Sequence, residues 1–118
     1  MKRINISQTE PDAYKGMLVL EQYTRNSQVA PLLRALIKIS ASQINGCAYC
    51  IDMHTREALE LGETQRRLFA IAAWKESPLF TDEERSVLQL TEEVTLISKD
   101  GVSDDTYNKV VEFFGEHV

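Results

Sequence analysis

Ser42-Gln43-Ile44-Asn45-Gly46-Cys47-Ala48-Tyr49-Cys50-Ile51-Asp52-Met53-His54 holds both cysteines of the chain and one of its two histidines. The cysteines are three residues apart, and His54 follows Cys50 by four. On a helix those spacings put all three side chains on one side of about two turns. Asn45-Gly46 reads as the end of an earlier helix, with Gly46 free to take a left-handed turn. Cys47 then falls at or near the start of a new helix. There the unpaired N–H groups and the macrodipole favour an anionic sulfur. A thiol pair, an imidazole one turn on and a helix N-terminus together make a redox site.

Outward from this stretch the punctuation is helical, and strand signals are nearly absent. Thr9-Glu10-Pro11-Asp12 predicts a helix start with Thr9 as cap. Tyr14, Met17, Leu18 and Glu21 share a face, with Glu21 at its edge and its carboxylate in water. Pro31 suits the first turn of a second helix. Leu32, Leu33, Leu36, Ile37, Ile39 and Ile44 make that helix apolar around much of its circumference, hence central. Arg34 and Lys38 mark its wet side. A third helix covers residues 48–61, with Gly62 just beyond its end. Cys47, Cys50, Ile51, His54, Ala58 and Leu61 fall in its inward sector, away from Arg56 and Glu60. The sulfurs should then be shielded and reached through a small pocket.

Glu63-Thr64 opens a fourth helix with Leu68, Ile71 and Ala72 as its stripe and Phe69 and Trp74 flanking. A lone Trp at the end of such a helix reads as core. After a break at Ser77-Pro78-Leu79, Thr81-Asp82-Glu83-Glu84 is a capping box. It starts a fifth helix with Val87, Leu90, Thr91, Val94 and Ile97 on one face. Lys99-Asp100-Gly101 turns the chain, and Ser103-Asp104-Asp105 caps a sixth helix. Its stripe, Tyr107, Val110, Val111, Phe114 and Val118, is still running where the sequence stops. That predicts either a longer natural chain or a helix docked on a neighbouring subunit. The expected fold is all-α, a single domain over residues 1–118 built as a bundle of about six helices.

Composition excludes several partners. The net charge is −5 with no basic block, which disfavours nucleic acid and anionic membranes. The first ten residues lack the apolar run of a signal peptide. No run approaches the roughly 18 apolar residues of a membrane span. The expectation is a cytoplasmic protein, where a lone CxxC is more often catalytic or metal-binding than a structural staple.

Other readings of the trio are weaker. Two small buried cysteines can simply pack like alanines. A core histidine needs a hydrogen-bond partner, and thiol or thiolate sulfur is the nearest candidate. Zinc would find three ligands in Cys47, Cys50 and His54 but only His117 or a carboxylate for a fourth, so no metal is expected. Ile51 rather than histidine follows Cys50, which excludes the c-type haem motif. No βαβ pattern, glycine-rich phosphate loop or HExxH motif accompanies the cysteines.

Residues Ser42 to His54, with Ala58, Leu61-Gly62-Glu63 and Ala72-Ala73-Trp74, strongly resemble the AhpD-like alkylhydroperoxidase branch of the carboxymuconolactone decarboxylase family. The specific part is Ser-x-x-Asn-Gly followed by CxxC-xxx-His, and the likeness spans about residues 12 to 115. It implies an all-helical fold assembled as homotrimers or homohexamers and a cofactor-free thiol peroxidase cycle. By position it implies Cys50 as the attacking sulfur, Cys47 as the resolving one and His54 in the proton relay. The decarboxylases of the superfamily lack this cysteine pair. One departure matters. The family usually carries a glutamate twelve residues before the first cysteine, and here that position is Ala35. Glu21 and Glu57 are the two candidates to fill the vacancy.

The implied chemistry consumes a hydroperoxide and a dithiol reductant, in this family a lipoyl group or a small redox protein. Helical residues three apart have Cβ atoms about 5–6 Å apart, against roughly 3.5–4.5 Å in a disulfide. The pair can bridge only if Cys47 sits at the loosened helix start. The rival expectations are a redox-sensing or assembly protein of the same fold and a cofactor-free decarboxylase-type relative.

Overall fold

The computed structural model describes residues 1–117. These residues form eight α-helices and one 3₁₀ turn, with no strand among them. The helices are α1 (Ile6–Thr9), α2 (Pro11–Arg25), α3 (Pro31–Asn45), α4 (Ala48–Glu60), α5 (Gln65–Ala70), α6 (Asp82–Thr95), α7 (Ile97–Asp100) and α8 (Asp104–Phe114). The 3₁₀ turn Ile71–Ala73 continues α5. Five helices of eleven residues or more, together with α5 and its 3₁₀ extension, correspond to the six expected.

Most boundaries follow from local chemistry. Pro31 opens α3 at a position whose N–H would lack a partner in any case. Thr81 and Glu84 form the reciprocal capping box of α6. Ser103 caps α8 by accepting the Thr106 N–H. Thr9 does not cap the first long helix. It ends α1, whose own cap is Asn5, and α2 starts at Pro11 after Glu10 without a side-chain cap. Proline alone sets that start, through its fixed φ and missing donor. The expected run of the last helix beyond Phe114 is also corrected. Gly115 takes φ 78° there, and its N–H closes on the Val111 carbonyl. A glycine in that conformation ends a helix without any basic residue. Val118, placed on the same stripe, lies outside the described residues.

α3 is the central element. It packs against α4 on one side and α6 on the other, and α6 carries α8. Leu36 and Ile39 of α3, Ala58 of α4, Ile71 of the 3₁₀ turn and Leu88 of α6 are fully buried. Leu68, Trp74 and Phe80 close the core around them. Fully burying aliphatic side chains of this kind stabilises by about 1.5–3 kcal/mol each. Leu61, Ala72, Val94, Ile97 and Tyr107, expected on inward stripes, are instead exposed. Leu61 and Val94 sit at helix C-terminal ends, Ala72 lies in the 3₁₀ turn, and Ile97 starts the short helix α7.

Polar clasps hold the periphery. Arg67 on α5 pairs with Glu63 and Glu84, donates to the Leu79 carbonyl at 2.9 Å and lies over the Phe80 ring. Arg85 on α6 donates to the carbonyls of Trp74, Lys75 and Ser77, which satisfies the irregular segment after the 3₁₀ turn. Arg34 and Lys38 do not face water as expected. Arg34 donates to the carbonyls of Thr24, Arg25 and Val29, and Lys38 pairs with Glu21 at 2.6 Å. They make the polar seam between α2 and α3.

Glu93 on α6 anchors the start of α8. It accepts from the Thr106 hydroxyl and from the Ser103 N–H at 2.8 Å, and these bonds hold its carboxyl at about 2, against an ordinary 4.5. A carboxyl lowered in the folded state contributes stability above its unfolded value and loses it as the pH falls through the folded one. Glu93→Gln should therefore be less stable than the parent at pH 7. Denaturant titrations of the two should converge as the pH drops from about 4.5 towards 2. A constant gap across that window would rule the anchor out.

Candidate functional site

The turn between α3 and α4 is built by backbone bonds. Gly46 adopts φ 66°, a left-handed conformation that costs other L-residues roughly 1–2 kcal/mol. Its N–H donates to the Gln43 carbonyl at 3.2 Å, and the Cys47 N–H donates to the Ser42 carbonyl at 3.0 Å. This paired closure is the Schellman motif. It ends α3 and delivers Cys47, in extended conformation, as the N-cap of α4. The Cys47 Sγ accepts the Cys50 N–H at 3.3 Å, as a serine oxygen does at other caps.

Cys47 and Cys50 form a disulfide with Cα atoms 5.3 Å apart. Cys47 outside the regular helix is what permits the bridge, as the spacing argument requires. Both residues are half-buried, so the sulfurs are less shielded than the inward stripe implied. Ala58, three turns along α4, is fully buried, whereas Leu61 at its end is out in solvent.

The His54 side chain is only 14% exposed. Its Nδ1 lies 3.1 Å from Glu57 Oε2. The expected hydrogen-bond partner was sulfur; here the hydrogen bond runs to the carboxylate one turn on. Glu57 is 44% exposed at its side chain. Glu21, the other candidate for the Ala35 vacancy, keeps a side chain 38% exposed at the helix edge, but its carboxylate is paired. Its carboxylate bonds Lys38 at 2.6 Å and Arg25 at 3.4 Å. The Lys38 hydrogen bond holds it below the usual carboxylate range, partly opposed by burial. An open cleft of about 540 Å³ separates α2, α3 and α4 here, lined by Arg25, Arg34, Ala35, Lys38, Glu57 and Glu60 among others. The structure thus brings Cys47, Cys50, His54 and Glu57 onto one helix or its cap and ties Glu21 to Lys38, which lines the cleft from α3. Among the described residues, no group of three or more His, Cys, Asp or Glu is arranged to hold a metal ion.

Sequence reasoning did not find the work of Arg34 and Lys38. Their spacing of four is the usual mark of a wet helix face, and only the proximity of the preceding helix end turns them inward.

A profile of the carboxymuconolactone decarboxylase family matches residues 11–93. The chain belongs to that family. It is 41% identical over 115 residues to the uncharacterized protein YdfG of Bacillus subtilis (strain 168), covering 98% of this chain and 78% of that one. The uncharacterized protein YnjA of Escherichia coli (strain K12) is 34% identical over 68 residues, 58% of this chain and 37% of that one. The crystal structure of ATU0492 from Agrobacterium tumefaciens superposes with a TM-score of 0.94 at 35% identity, over 99% of this chain and 80% of that one. ATU0492 is a protein of unknown function named as a candidate antioxidant defence protein AhpD. The fold here is thus AhpD-like.

A Cβ on Gly46 would meet nothing within 4 Å, so only the backbone conformation forbids a side chain. Gly46→Ala should lower stability by about 1–2 kcal/mol and slow closure of the Cys47–Cys50 disulfide. Gly46→Asn should lose less, because Asn tolerates the left-handed region. Denaturant melts and thiol titration measure both. Equal stability of all three proteins would remove the turn from its place in the site.

Proposed function

We propose that this protein is a thiol-dependent peroxidase that reduces small or organic hydroperoxides through a Cys47/Cys50 dithiol–disulfide cycle. The observation that carries the reading is the disulfide at the N-terminus of α4 with an imidazole one turn away. Cys50 attacks as the thiolate, since the thiol is a poor nucleophile. Its sulfur takes the distal peroxide oxygen, the O–O bond breaks, and the leaving alkoxide takes a proton from His54. Cys50 is left as sulfenic acid. The Cys47 sulfur displaces hydroxide from it, which leaves as water with the proton of the Cys47 thiol, and the disulfide forms. An external dithiol, a lipoyl group or a small redox protein, then returns both electrons and is itself oxidised. No cofactor takes part in this cycle.

Cys50 is assigned the attack because a residue and its neighbour four positions on are adjacent on a helix, whereas Cys47 is two turns from His54. The charge and composition support a cytoplasmic, single-domain protein without nucleic-acid or membrane partners. No helix is long and apolar enough to cross a membrane among the described residues. The family resemblance implies assembly with further copies of this chain, as a trimer or hexamer. The exposed apolar surface is concentrated on α2. Tyr14, Met17, Leu18, Val19, Leu20 and Tyr23 of α2 are exposed, while α3 is covered by its neighbours. Light scattering at micromolar concentration should report an oligomer, and Leu20→Glu should shift it towards the monomer. A monomeric parent protein would end this part of the proposal.

The rival is a redox sensor in which the disulfide forms once without turnover. Steady-state consumption of hydroperoxide with excess small dithiol separates the two, since a sensor stops after one equivalent. Cys50→Ser should abolish consumption and sulfenic acid formation. Cys47→Ser should give a single burst, trapped as sulfenic acid on Cys50, and His54→Ala should slow the attack. A burst in Cys50→Ser that is missing in Cys47→Ser would reverse the assignment.

A further inference from the structure

An imidazole has two ring nitrogens, and what one of them bonds decides what the other can do. In His54 the bonded nitrogen is Nδ1, 3.1 Å from Glu57 Oε2. A carboxylate only accepts, so the neutral ring must carry its proton on Nδ1. Nε2 is then the basic nitrogen. The two residues are three apart on α4, a spacing that makes them neighbours whatever the rest of the chain does.

The surrounding groups leave this task to Glu57. Glu21 on α2 is bonded to Lys38 of α3 and to Arg25. Arg34 of α3 directs its Nη1 to three backbone carbonyls. Glu60, one turn further along α4, is exposed at the cleft. Ala35 gives the α3 wall of the cleft a methyl group and no carboxylate. The carboxylate that bonds His54 comes from its own helix instead.

We infer that Glu57 is the positioning residue of the site: it holds His54 as the Nδ1–H tautomer, so that Nε2 is the nitrogen that exchanges protons with Cys50 and the leaving alkoxide. The reaction named here rests on the peroxidase reading above; the tautomer does not. Glu57 touches neither substrate nor sulfur in this role and acts through the ring. The Ala35 vacancy is thereby filled from α4 and not from α2.

The test uses reduced protein labelled with ¹⁵N-histidine, at a pH where the rings are neutral, with exposed His117 as the internal reference. The parent protein should show Nδ1–H at His54. Glu57→Ala should move His54 towards Nε2–H and leave His117 unchanged. Alkylation of Cys50 by iodoacetamide, followed by peptide mass spectrometry, and oxidation by tert-butyl hydroperoxide should both slow about tenfold, the loss of one hydrogen bond to a charged group. Glu57→Gln keeps an acceptor oxygen and should restore the tautomer and part of the rate. Glu57 is nearly half exposed, so neither variant opens a core. A Glu57→Ala protein with the parent's tautomer, or with the parent's alkylation rate, overturns the inference. If the parent protein is alkylated at Cys50 but not oxidised by hydroperoxide, the peroxidase reading fails, and the tautomer and alkylation data still decide the part played by Glu57.

Discussion

The paired backbone closure at Gly46 is the constraint on which the site depends. Two N–H groups, of Gly46 and Cys47, satisfy the last carbonyls of α3 and in doing so fix the first residue of α4. Ser42, which supplies one of those carbonyls, is itself buried and donates its hydroxyl to the Lys38 carbonyl at 2.6 Å. The cysteine is therefore referenced to the most buried helix of the molecule through bonds that no side-chain rotation can alter. α3 is in turn fixed by Leu36 and Ile39 against α4 and α6. A sulfur placed in this way sits on a rigid element although its backbone is non-helical.

The same central helix divides the molecule into an apolar and a polar half. Towards α4 and α6 it presents Leu36 and Ile39; towards α2 it presents Arg34 and Lys38. α2 is thus held by charge-assisted hydrogen bonds to its own C-terminal end and to Glu21, and it buries no residue fully. At a part-exposed seam such bonds are screened to about 1 kcal/mol or less each, and several together orient the helix. They do nothing for the apolar side chains it carries. Those remain in solvent in the single chain, which is why the apolar excess belongs to α2 and not to the central helix.

Much of this was legible in the sequence because caps and closures are local. Thr81 with Glu84, Ser103, Pro31 and Gly46 each act within four residues of themselves, and each stands where its chemistry predicted. The disulfide was legible for the same reason, as a consequence of where the helix starts. The failures share a different cause. Periodicity says which residues share a face, but not how far a neighbouring element extends over it. Leu61, Ala72, Val94 and Ile97 all remain exposed. Arg34 and Lys38 failed in the opposite sense, because a charged pair at helical spacing looks wet until a carbonyl-rich helix end arrives beside it. Glu57 was visible as a candidate, and only the distance to Nδ1 separated it from Glu21.

The two sulfurs are stabilised by different means, and in the proposed cycle the difference has a use. Cys47 at the cap receives a backbone N–H, a donor that is always present and cannot titrate. Cys50 lies inside the first turn and has its own N–H committed to Cys47, so what distinguishes it is the imidazole of His54 one turn on. A donor that holds charge without supplying a proton suits a leaving thiolate, since the sulfur better able to carry charge departs faster. A donor that also transfers a proton suits the sulfur whose reaction expels an alkoxide. Attack by the external dithiol on the Cys50 sulfur would release Cys47 into the N–H of its own helix. Attack by Cys50 on peroxide would draw its proton from His54. One helix start thereby serves both halves of the cycle, with the backbone acting on reduction and the side chains acting on oxidation.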